Sequence, residues 1–214
     1  KAPDINRVWA NITNFLSDYA PLGSPGGDVA NCTRITKSGT YDLTNALAGV
    51  YTTSSCRGFA TCCIWIDSSD AILDCHGYNI TGNPSTHYVG IMDDGSTTFS
   101  NVIIKNCNIR GYYQTEIELG NERNLTIQNN TITTSGGTTT GISLSADTRN
   151  SVIRNNTIYA TSPDSSNYYD IELDTTFETP NNSVINTIVG NTKPTKINLT
   201  YGSTQIGQVG KVGV

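Results

Sequence analysis

One pattern recurs six times along the 214-residue chain. Segments led by an isoleucine return as CIWID (63 to 67), GIMDD (90 to 94), EIELG (116 to 120), GISLS (141 to 145), DIELD (170 to 174) and KINLT (196 to 200). The isoleucines are Ile64, Ile91, Ile117, Ile142, Ile171 and Ile197, spaced by 27, 26, 25, 29 and 26 residues. A second family runs between them: SSDAILDC (68 to 75), SNVIIKNC (100 to 107), RNLTIQNNTI (123 to 132), RNSVIRNNTI (149 to 158) and NNSVINTI (181 to 188). Its alternating apolar residues lead into Cys or Asn. Alternation is the strand period, and helical repeats would need apolar spacings of three and four, which these segments lack. A unit of about 26 residues with two or three short strands cannot bury an inner face alone, so units must stack one per coil. The expectation is an all-β solenoid over residues 30–201, about six coils and roughly 25 to 30 Å tall at one strand spacing per coil.

Alternation also assigns faces. Ile117 with Leu119, Ile142 with Leu144, Ile171 with Leu173, and Ile197 with Leu199 are expected to point inward. Glu116, Glu118, Ser143, Asp170, Glu172 and Asn198 are expected to point out. In the second family Val102, Ile104, Leu125 and Ile127 face the core, and Asn106, Asn129 and Asn155 fall in register at a bend, where stacked amides can bond one another. These segments resemble the right-handed parallel β-helix repeat family, in particular its secreted and cell-surface members from archaea and bacteria. The resemblance runs from about Thr33 to Tyr201. The stretch ITKSGTYDLTNAL followed by CIWIDSSDAILDCHGYNITG is similar to the way such domains begin. The resemblance implies a single-stranded right-handed parallel β-helix. It leaves activity open, because the family includes polysaccharide lyases and hydrolases, carbohydrate-modifying proteins, adhesins and surface-layer components.

The ends break the pattern. Ile5, Val8, Trp9, Ile12, Phe15, Leu16 and Tyr19 follow helical spacing between Asp4 and Pro21, which predicts a short N-terminal helix capping the first coil. Residues 1–29 are thus read as a helical cap and linker, and residues 202–214 as a tail able to add as a strand to a neighbouring molecule. One capped and one adhesive end allow head-to-tail stacking into an open polymer. The expected partner is therefore the chain itself.

Composition limits the other partners. Only 14% of residues are charged, against about 25% in ordinary domains. With 13 Lys and Arg against 18 Asp and Glu and no basic cluster, nucleic acid and anionic membranes are poor partners. No run of about 18 apolar residues exists to span a bilayer. Surface polarity comes instead from 23 Asn, 31 Thr and 19 Ser. Glycan acceptors N-x-Ser/Thr occur at Asn11, Asn31, Asn79, Asn124, Asn129, Asn155, Asn181 and Asn198, against about five by chance. Covalent N-glycans would solubilise a weakly charged wall. An inward Asn129 or Asn155 could not carry one.

Cys32, Cys56, Cys62, Cys63, Cys75 and Cys107 lack paired zinc-type spacing, and His76 and His87 are the only histidines. Disulfides in an oxidising, extracellular or cell-surface location are the expected use. Cys75 and Cys107 fall near equivalent bends of successive coils, which favours a bridge there, and adjacent Cys62 and Cys63 are poor partners for each other.

An enzyme would have to use the outward carboxylates. Glu116 and Glu118 lie two coils from Asp170 and Glu172, about 9 to 10 Å by strand spacing, at the upper edge of inverting glycosidase geometry. Gly141 and Ser143 intervene, no Trp platform or catalytic His faces them, and Lys196 beside the Asp170 column reads as a surface pair. Asp93 and Asp94 before Gly95 lack EF-hand spacing, and no GxSxG, P-loop or dinucleotide fingerprint occurs. The sequence points to an extracellular structural protein without cofactor or metal, a subunit of a glycosylated surface filament or surface layer. The alternatives are a β-helix polysaccharide lyase or glycoside hydrolase using Glu118, Asp170 and Glu172, and a carbohydrate-binding adhesin.

Overall fold

The structure is a computed structural model that describes residues 25–51, 56, 61–134, 140–160, 170–175, 182–185, 188–190, 197–199 and 204–206. The expected N-terminal helix lies outside the described residues, as does the tail beyond residue 206. Among the described residues there is no helix.

Strand β1 (Pro25–Val29) precedes a first coil of β2 (Thr33–Ile35), β3 (Gly39–Leu43) and β4 (Leu47–Ala48). The second coil is β5 (Cys62–Ile66), β6 (Ala71–Asp74) and β7 (Asn79–Thr81), and the third β8 (Val89–Met92), β9 (Ile103–Lys105) and β10 (Asn108–Arg110). The fourth is β11 (Thr115–Gly120), β12 (Thr126–Gln128) and β13 (Thr131–Thr134), and the fifth β14 (Thr140–Ala146), β15 (Val152–Arg154) and β16 (Thr157–Ala160). The sixth is β17 (Ile171–Thr175), β18 (Ser183–Ile185) and β19 (Ile188–Gly190), after which β20 (Ile197–Leu199) and β21 (Thr204–Ile206) begin another. The chain visits three parallel sheets in strict rotation. Among the described residues the first sheet has seven strands from β2 to β20, the second eight from β1 to β21, and the third six from β4 to β19.

Each sheet contributes an inner column of branched aliphatic residues. The first carries Ile64, Ile91, Ile117, Ile142 and Ile171 in direct register, and Ile171 pairs in turn with Ile197 of β20. The second carries Leu73, Ile104, Ile127, Ile153 and Val184. The third carries Leu47, Ile80, Ile109, Ile132 and Ile158. Stacked β-branched side chains suit a pleated wall, and each buried one contributes about 1.5–3 kcal/mol. Truncation of Ile117 to Ala should therefore cost roughly 2–5 kcal/mol.

Corners are made by single residues in the left-handed region. Asp70, Asn101, Asn124 and Asn150, at φ 55, 61, 55 and 52°, turn the first sheet into the second. Asn106, Asn129 and Asn155, at φ 57, 57 and 54°, turn the second into the third. Asn and Asp adopt this conformation most readily among residues with a side chain. The expected bend is present, but its amides are not the stack. Asn129 and Asn155 are exposed, and the inward amides belong to Asn130 and Asn156, one residue later. Asn130 Oδ1 accepts from Cys107 N–H at 2.9 Å, while its Nδ2 donates to Ile104 O at 3.2 Å and to Asn156 Oδ1 at 3.0 Å. The left-handed residue reverses the side-chain sense, so the residue after it points inward. Outside, Asn124 Nδ2 donates to Asn101 Oδ1 at 3.1 Å, and Asn101 Nδ2 to Asp70 Oδ1 at 2.8 Å.

Disulfides tie the early coils: Cys32–Cys63, Cys56–Cys62 and Cys75–Cys107. Cys56 and Cys62 join Val89 and Met92 in a satellite apolar cluster flanked by Tyr51 and Trp65. Two boundaries differ from the sequence reading. Pro25–Val29, expected in the linker, is a strand paired with β3, and Thr204–Ile206, expected in the tail, pairs with this chain's own β18.

Candidate functional site

The outer column of the first sheet is the wall on which the enzyme candidates were expected. Register places Arg34, Trp65, Met92, Glu118, Ser143 and Glu172 along it. At its start the Arg34 guanidinium lies 4.0 Å from the centroid of the Trp65 ring, and its Nε donates to Asp67 Oδ2 at 2.8 Å. Farther on, Glu118 and Glu172 are half-buried with Ser143 between them. Two strand spacings separate them, about 9 to 10 Å.

Glu116 and Asp170, expected on the same wall, are instead fully buried. Both sit at the corner where their strands begin, so simple alternation misplaces them. Their neighbours in the adjacent coils are glycines. A Cβ on Gly90 would stand 2.5 Å from Glu116 O, and one on Gly141 2.6 Å from Asp170 O. Glycine there lets the coils close over the acids. Burial pushes the Glu116 carboxyl up to about 8, against the pull of the Tyr112 and Gly111 N–H groups. It is therefore mostly protonated at neutral pH. The Tyr112 hydroxyl is raised as well, by burial and then by the Glu116 charge. Neither group meets solvent, so Asp170 and Glu116 cannot act on a polymer, and the enzyme constellation is reduced to Glu118 and Glu172.

A second acidic group lies wholly inside. Asp93 occupies the inner position that Ile66 and Leu119 fill in the coils on either side, as the register of their strand neighbours requires. It is fully buried, with Gly95 N–H donating to its Oδ1 at 2.9 Å and Gly120 N–H to its Oδ2 at 2.8 Å. Glu122 is buried beside it. Burial first, then the charge and hydrogen bond of Asp93 and the charge of Asp94, push Glu122 up to about 9. The protonated form of Glu122 is thus favoured beside the buried, hydrogen-bonded Asp93. Asp94 itself holds a turn, accepting from Ser96 N at 2.9 Å and Thr97 N at 2.8 Å. Burial pushes its carboxyl up, but these bonds outweigh that and hold it below the usual range. Aligning GIMDD with EIELG would have exposed Asp93 as a carboxylate in an aliphatic column.

The sequon asparagines divide by position. Asn31, Asn124, Asn129 and Asn155 are exposed, Asn79 is half-buried on β7, and Asn198 is in register with Glu172. Asn11 and Asn181 lie outside the described residues. Among the described residues, Asp42, Asp74 and His76 are the group whose ligand atoms converge as a metal site requires. No helix among them is long and apolar enough to cross a membrane.

Searches of curated proteins and of solved structures return no match. The sequence model of the right handed beta helix region matches residues 31–209. The three rotating parallel sheets span the same stretch. The chain belongs to the right-handed β-helix family.

Proposed function

We propose that this β-helix is an extracellular structural protein, the glycosylated subunit of a surface filament or surface layer. The observation that carries the reading is the exposure of four sequon asparagines, Asn31, Asn124, Asn129 and Asn155, along the coils. Three disulfides in the first three coils support an oxidising compartment. Burial of Glu116 and Asp170 weakens the competing enzyme reading. Glycans on those bends would solvate a wall that has few charges, and solenoid ends would supply the subunit contacts.

Glycopeptide mass spectrometry on protein from its natural source tests this. At least three sequons should be occupied, and the intact mass should exceed the 23.0 kDa of the bare chain. A bare mass, together with a strictly monomeric sizing profile at high concentration, would sink the reading. The adhesin alternative draws on an exposed edge-to-face pair, Tyr88 and Tyr113, with ring centroids 5.7 Å apart. Such rings stack on sugars, so glycan-array binding that disappears in Tyr113→Ala would favour it.

A further inference from the structure

We infer that Asp42, Asp74 and His76 form a binding site for one divalent transition-metal ion of the Zn²⁺ class on the outer face of the second sheet. The sequence reading called for no metal, because it looked for paired cysteine and histidine spacing. The site arises instead from register and one unusual corner.

β3 and β6 pair Asp42 directly with Asp74. Two like charges stacked at one strand spacing repel, and a cation between them relieves the repulsion. Asp28 of β1 precedes Asp42 in the same column, and farther along stand Lys105, Gln128 and Arg154, so the acids are confined to β1 and the first two coils. The corner from second to third sheet takes two residues in the third, fourth and fifth coils, 106–107, 129–130 and 155–156, but four in the second, 75–78. Within that longer corner His76 and Gly77 take φ 48 and 81°. The chain doubles back, and the imidazole comes to lie between the acids. Its Nε2 is 2.8 Å from Asp42 Oδ1 and its Nδ1 3.7 Å from Asp74 Oδ1. One ligand atom from each of the three side chains lies within 4.8 Å of the other two.

Supporting contacts fix the ligands. Asp74 Oδ1 accepts from Asn106 Nδ2 at 2.9 Å and from His76 N–H at 3.0 Å, the kind of outer contact that orients a ligating carboxylate. The Asp42 and His76 side chains are 44% and 52% exposed, so an ion enters from solvent and water fills its other positions. A mixed set of imidazole and carboxylate suits Zn²⁺ and its neighbours, whereas Ca²⁺ and Mg²⁺ prefer oxygen alone. Lys105 Nζ, 3.0 Å from Asp74 Oδ2, is a built-in competitor.

Titration calorimetry of the full chain with ZnCl₂, in a buffer that does not chelate, provides the test. One ion should bind saturably, about tenfold or more weaker in His76→Ala and in Asp42→Asn, and tighter in Lys105→Met. His87→Ala should match the wild type. The altered side chains are on the surface, and circular dichroism checks that each variant folds. Absence of saturable binding up to about 1 mM, an affinity of only about −4 kcal/mol, overturns the proposal. So does equal binding by His76→Ala, and either result leaves His76 as a hydrogen-bonding partner of Asp42.

Discussion

At the corner between the second and third sheets, the second and third coils are joined by the Cys75–Cys107 disulfide, whereas the fourth and fifth are joined by the Asn130–Asn156 amides. The two devices meet where Cys107 N–H donates to Asn130 Oδ1. A disulfide closes a long loop and acts largely by constraining the unfolded chain, and it can link only two coils. An inward asparagine acts in the folded state, satisfying backbone groups that a corner would otherwise bury without partners. That arrangement repeats coil after coil. Between the two regions lies a seam where Asp93 of the third coil faces Glu122 of the fourth.

The buried acids of the fourth coil should give the largest effect. Glu116 and Glu122 ionise near 4.5 when unfolded but at about 8 and about 9 when folded. The folded state therefore binds more protons between those values. Their contribution is complete below about 4.5 and is lost as pH rises, at up to about 1.4 kcal/mol per pH unit for each group. Thermal melts should show highest stability in mild acid and a fall of several kcal/mol by about pH 9. Asp94, held below its ordinary 3.8, acts in the opposite sense and only in stronger acid. Glu122→Gln should flatten the alkaline limb, and an unchanged slope in that variant would remove the seam from the account.

Next comes the covalent region. Cys75→Ala with Cys107→Ala should cost about 3–4 kcal/mol, from the closed loop of sequence separation 32. Urea denaturation measures it, and a loss below about 1 kcal/mol would put the stability of these coils elsewhere. Asn130→Ala should cost roughly 1–3 kcal/mol, because Cys107 N–H and Ile104 O both lose a buried partner. Hydrogen exchange should rise at Cys107 in that variant, and unaltered protection there would show that the amide is not the link. The smallest change is expected outside. Asn124→Ala breaks the exposed bond to Asn101 and removes a favourable left-handed residue, for about 0.5–1 kcal/mol in the same urea assay.

The inner columns of this fold were legible because each isoleucine recurs at nearly constant spacing and a one-residue slip would expose the whole set. The Cys75–Cys107 bridge was legible for the same reason, since both cysteines follow equivalent strands. What escaped was local geometry at corners. Alternation treats a strand as straight, so it put Glu116 and Asp170 outside, although the chain is already turning where they stand. In the Asn-Asn pairs, the sequence does not say which residue takes the left-handed bend. The backbone chooses the first, leaving Asn129 and Asn155 exposed and turning Asn130 and Asn156 inward. His76 was seen only as an isolated histidine. Its meaning depends on a corner two residues longer than those of the next three coils, and on the register that pairs Asp42 of β3 with Asp74 of β6.

Electron microscopy of material from the natural source tests the structural role most directly. The account predicts polymers built from stacked β-helices, with a strand spacing of about 4.8 Å along the solenoid axis. Added density should stand on the exposed bends of Asn31, Asn124, Asn129 and Asn155. Isolated particles the size of one chain, with bare asparagines, would contradict it.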